Sequence, residues 1–102
     1  MSAACTKKQE KPADILSPHQ MSLLLIDFHL LEEKIETSIF TLDSQRTAFA
    51  HFEKLVFEKY EVDSAVYAKS LEYYMGDPKE MEKIYEVVVD SLTVREKTKS
   101  ID

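Results

Sequence analysis

Apolar side chains recur at three- and four-residue spacing through most of the chain, which is the periodicity of amphipathic helices. Met21, Leu24, Leu25, Phe28, Leu31 and Ile35 form the first such stripe, and Leu23, Ile26 and Leu30 widen it. A stripe that broad predicts a central helix covered on more than one side. Phe49, Phe52, Val56 and Tyr60 make a second inner face, Val66, Tyr67, Leu71 and Tyr74 a third, and Met81, Ile84, Tyr85, Val88 and Leu92 a fourth. Val87-Val88-Val89 has the composition of a strand, but its helical flanks and the lack of a pairing partner assign it to the last helix.

Punctuation between the stripes sets the boundaries. Ser17-Pro18-His19-Gln20 is a capping box with proline at the first helical position. Asp43 is the expected cap of the second helix, and Val62-Asp63 supplies a staple residue and a cap for the third. Gly76 is expected to stop the third helix as a C′ residue, before Asp77-Pro78-Lys79-Glu80 repeats the capping-box logic. The fold class predicted is all-α: a compact antiparallel bundle of four amphipathic helices at about 17–40, 43–60, 63–75 and 77–96. Residues 1–12 are expected to be a flexible tether, 13–96 the bundle domain and 97–102 a frayed tail.

Composition narrows the function. At 102 residues the chain is one domain with one modest core. A single glycine excludes a P-loop or a dinucleotide fingerprint, and a single cysteine excludes an intrachain disulfide and a cysteine-based zinc finger. The net charge of −6 is unevenly placed: residues 1–12 carry +2, residues 13–94 carry −9 and residues 95–102 carry +1. Phosphate neutralisation by Lys and Arg underlies nucleic-acid binding, so no nucleic-acid partner is expected. The Ser64–Met75 helix resembles the second helix of a helix-turn-helix, but its one basic residue, Lys69, faces Glu72 within an acidic domain, and a bundle corner is the expected reading. No run of 18 apolar residues encodes a membrane span.

The chemistry-bearing residues point away from catalysis. A di-iron bundle needs Glu-x-x-His on two helices, and Leu16, Ile26 and Ala48 stand three before His19, His29 and His51. Asp27, His29 and Glu33 are the best remaining metal set, yet Asp27 points about 160° from His29 on a helix, so a solvated polar face is expected and no metal or other cofactor. There is no Gly-x-Ser-x-Gly elbow, and no catalytic residue is assigned. Tyr73 and Tyr74 point about 100° apart, so Tyr74 is the core candidate and Tyr73 the more exposed ring, a candidate for a partner surface.

Small residues stand directly before Cys5 and a lysine-rich stretch follows it. Met1-Ser2-Ala3-Ala4-Cys5 resembles the lipobox of bacterial lipoproteins, in which the cysteine thiol is acylated; Ser2 stands where Leu is usual. The basic and apolar parts of a signal peptide would lie upstream of Met1. Further along, Lys11-Pro12, Ile15-Leu16-Ser17, Met21 and Leu25-Ile26-Asp27 resemble the opening of the domain of unknown function 4296 family of small Gram-negative envelope lipoproteins. His51 to Tyr60, Val62, Ser70-Leu71-Glu72-Tyr73-Tyr74, Pro78, Met81, Ile84-Tyr85 and Val88 continue the likeness, which covers about residues 11–96. The pattern is one of apolar and aromatic spacing, with no activity or cofactor attached to it.

That resemblance implies a lipid-anchored, non-catalytic helical module of the bacterial cell envelope, with Cys5 as the lipidation site and an unidentified envelope protein as partner. Two alternatives remain open from the residues. One is a bundle holding an apolar small ligand between Phe28, Phe49, Phe52 and Tyr67; the other is a cytosolic helical adaptor, if Met1 is the true start.

Overall fold

The computed structural model describes residues 14–37 and 41–101, with side chains to Lys97. Its four helices are α1 (Pro18–Glu36), α2 (Leu42–Lys59), α3 (Ser64–Met75) and α4 (Pro78–Ile101). Strands are absent among the described residues, and the all-α bundle is as the periodicity indicates.

Each helix begins at an identifiable cap. Ser17 Oγ accepts from the Gln20 amide at 3.1 Å, and the Ser17 amide donates to Gln20 Oε1 at 2.8 Å, so the capping box is complete. Asp63 Oδ1 accepts from the Ala65 amide at 2.7 Å. The second cap is a correction: Thr41, not Asp43, holds it, its hydroxyl accepting from the Ser44 amide at 3.2 Å. Asp43 lies inside the first turn, where its charge complements the helix dipole. At α4, Asp77 accepts from the Glu80 amide at 3.4 Å, while Glu80 turns to Lys83 instead of closing a box.

The ends differ more from expectation. Helix α1 stops at Glu36 because the Thr37 hydroxyl donates to the last carbonyls, those of Glu33 and Lys34; residues 38–40 lie outside the described residues. Helix α4 runs to Ile101, five residues past the expected end at 96, through the strong helix formers Arg95, Glu96 and Lys97. Gly76 is the C-cap of α3 in an ordinary right-handed conformation, φ −85°. The left-handed residue is Glu61, φ 55°. It sits at C′ of α2, where the Val62 amide donates to the Phe57 carbonyl at 2.9 Å and the Glu61 amide to Glu58 at 3.1 Å, a Schellman motif built without glycine.

Helix α1 is the hub. It packs against α2 on one side and α4 on the other, with a smaller contact to α3, and α3 also packs on α4. Met21, Leu24, Leu25, Ile26, Phe28 and Ile35 of α1 are buried, joined by Leu16, Phe57, Tyr74, Ile84 and Val88. Leu31 is only half-buried, and Ile26 takes its place in the core. Phe49, Val56 and Tyr60 of the expected α2 face pack on the core, but Phe57 is buried and Phe52, also expected there, is 43% exposed. Phe57 wins because its ring inserts 5.4 Å from both Phe28 and Tyr67, a position Phe52 cannot reach from the other side of the helix. Residues 25–32 of α1 share one groove with 78–85 of α4, and 29–36 share another with 89–96, so these two helices run in the same direction. The neighbours α1 and α2 run antiparallel, with Asp27 beside Lys59 and Tyr60, and α3 runs back along α1 from Tyr67 at Phe28 to Tyr74 at Leu16.

Candidate docking groove

Helices α2 and α4 both pack on α1, and a groove of about 680 Å³ lies between them, with α3 also lining it. Leu25 and Phe28 of α1 are its floor. Phe49 lines it from α2, Tyr67, Leu71 and Met75 from α3, and Met81 and Tyr85 from α4. Phe28 anchors this lining, with ring centroids 6.4 Å from Phe49 and 5.4 Å edge-on to Tyr67. At the mouth, Met75 is 67% and Tyr85 40% exposed.

The rim is acidic. Glu32, Glu53 and Glu82 line the groove, and among the described residues no Lys or Arg does. His29 also lies on the rim, with Nδ1 3.7 Å from Glu32. Burial is the main cause that raises the Tyr67 phenol above its usual titration range, and Tyr85 and Glu53 add to it.

The other polar clusters hold elements together. Asp27 accepts from Lys59 Nζ at 2.9 Å and from the Tyr60 hydroxyl at 3.0 Å, tying α1 to the end of α2. The bond to Asp27 raises Lys59, and burial followed by the same carboxylate raises Tyr60. A third network fastens the segment before α1 to α3. The Leu16 amide donates to Ser70 Oγ at 2.9 Å, Ser70 donates to the Val66 carbonyl at 2.7 Å, and the Tyr74 hydroxyl donates to the Leu16 carbonyl at 2.7 Å. Lys69 pairs with Asp14 one step outward and holds that carboxyl below its usual range. Burial pushes the Tyr74 phenol up to about 12. Both backbone groups of Leu16 are therefore satisfied inside the protein, as buried peptide groups must be.

The residues singled out from the sequence fall in different places. Of the four aromatics proposed to enclose a ligand, Phe28, Phe49 and Tyr67 line the groove and Phe52 does not; it stands against the His51 ring at 5.1 Å. Asp27 is engaged by Lys59 and Tyr60 and His29 by Glu32, and among the described residues no three His, Cys, Asp or Glu side chains gather as a metal set. Tyr73 is half-buried, edge-on to Tyr74 with centroids 5.1 Å apart, and does not line the groove. Cys5 lies outside the described residues. Met75 and the glutamate rim went unnoticed in the sequence. Met75 carried one signal, a methionine just before the helix stop, whereas the rim assembles glutamates from three helices and had none.

Among the described residues no helix is long and apolar enough to cross a membrane. The chain matches no curated protein and no solved structure. It does match the model of one family, Domain of unknown function (DUF4296), over residues 12–98. That span takes in α1, α2 and α3, all but the last three residues of α4 and the Leu16 segment clamped to α3, and the chain belongs to this family.

Proposed function

We propose that this protein is a non-catalytic interaction module of the bacterial envelope, held at a membrane by lipid on Cys5. The observation that supports the interaction role is the apolar groove left open between α2 and α4, with Met75 and Tyr85 at its mouth. In keeping with a structural role, the groups with displaced titration outside the groove, Asp14, Lys59, Tyr60 and Tyr74, are those that join one element to another.

The anchor rests on the Ala3-Ala4-Cys5 run and on charge. Each acyl CH₂ buried contributes about 0.8 kcal/mol to membrane binding, and nearby lysines add attraction to anionic headgroups. Lys7, Lys8 and Lys11 follow Cys5 directly, whereas residues 13–94 carry −9 and are repelled by the same surface. The segment between Cys5 and the clamped Leu16 spans at most about 40 Å when extended, so the bundle would stay close to the bilayer while facing away from it.

Mass spectrometry of the full-length gene product expressed in its host should find Cys5 diacylated or triacylated, and Cys5→Ala should move the protein from the membrane fraction to the soluble one. An unmodified Cys5 in a soluble protein removes the anchor.

A further inference from the structure

The groove combines an apolar floor with a rim of one charge sign, and that combination specifies an occupant. From it we infer that the groove takes an amphipathic helix of another protein, with apolar anchors along one face and Lys or Arg flanking them. This rests on the interaction half of the proposed function and is independent of the lipid anchor.

Three features carry the argument. First, Glu32, Glu53 and Glu82 border the groove with no Lys or Arg among the described lining residues, so a cation lying along either edge meets a carboxylate, and an acidic segment meets repulsion. Second, the walls are helices that both pack on α1, and the trough of about 680 Å³ between them suits a further helix held by the same side-chain packing. Third, Met75 and Met81 line the walls, and unbranched thioether side chains adjust to the shape of an inserted anchor. A second copy of this chain is a poor occupant, since its bundle domain carries −9 and would bring like charge to the rim. A small apolar molecule would leave the exposed mouth at Met75 and Tyr85 uncovered.

The test is a selection on the full chain in solution, so it does not depend on acylation. The probe is a displayed library of helices about 18 residues long, roughly 27 Å, with a fixed leucine stripe and flanking positions varied among Lys, Gln and Glu. Helices with Lys flanks should be enriched. A recovered helix, made as a free peptide, should bind at least about tenfold more weakly to Met75→Arg and to the double variant Glu53→Lys/Glu82→Lys, and the double variant should now prefer Glu-flanked helices. All three positions are at least partly accessible to solvent, so each variant should keep the helical circular-dichroism spectrum of the parent chain. The inference is overturned by Gln or Glu flanks, by no enrichment, by binding that both variants leave unchanged, or by a chain that self-associates until Met75→Arg makes it monomeric. Failure here with Cys5 acylated removes the groove and leaves the anchor; the converse leaves the groove.

Discussion

At the residue scale, the clearest tension lies in where the backbone turns left-handed. The only glycine, Gly76, has φ −85° and needs no special freedom, while Glu61 sits at φ 55°. A side chain in that region costs about 1–2 kcal/mol, and glycine there gives back part of the gain through a freer unfolded chain. Glu61→Gly should therefore stabilise the protein by about 0.5–1 kcal/mol, seen as a higher urea midpoint with an unchanged slope. A lower midpoint would show that the Glu61 side chain contributes more than its backbone costs. The residue-level misreading of Gly76 has a plain origin. Glycine marks helix ends because it tolerates either hand, and spacing does not disclose which hand the end will use.

At the scale of elements, the bundle is joined by polar clamps as much as by apolar stripes. Ser70 and Tyr74 lie one turn apart on α3 and together satisfy both backbone groups of Leu16. Ser70→Ala removes the acceptor and leaves a buried amide unpaired, which costs about 1–3 kcal/mol. Hydrogen exchange should find the Leu16 amide protected in the parent chain and much faster in Ser70→Ala, with the α1–α2 pairing around Phe28 and Phe57 retained. Free exchange of that amide in the parent would disprove the clamp. The helices and three of their caps, Ser17, Asp63 and Asp77, were legible in the sequence because capping is local chemistry. Thr41 was overlooked in favour of Asp43 because both residues are good caps two positions apart. On α2, whose Phe49, Val56 and Tyr60 pack as expected, one position was misjudged: Phe52 and Phe57 are equally apolar, and only the position of Phe28 and Tyr67 decides which of them is covered.

For the whole molecule, the linkage between charge and folding is clearest at alkaline pH. Burial is the main cause that raises Tyr60, Tyr67 and Tyr74 above the ordinary 10.0, Tyr74 to about 12. A raised folded pKa means that the folded chain holds its phenolic protons more tightly than the unfolded one. Their contribution is then complete below pH 10 and is lost as pH rises through the folded values. Urea unfolding at several pH values should show stability falling between about pH 10 and 12, and the fall should be shallower in Tyr74→Phe. An equal fall in both proteins would mean that Tyr74 titrates normally.

At every scale the division follows the range of the interactions involved. Local signals in the sequence determined the four helices, the principal caps, the uneven charge and the resemblance to a family, because helical period, capping and composition act over a few residues. The tertiary structure alone decided that α1 and α4 run in the same direction, that a groove lies between α2 and α4, and that Glu32, Glu53 and Glu82 come from different parts of the chain to rim it. Which faces are covered depends on contacts between residues tens of positions apart, and a helical stripe reads the same whether its neighbour is another helix of the chain or a partner yet to arrive.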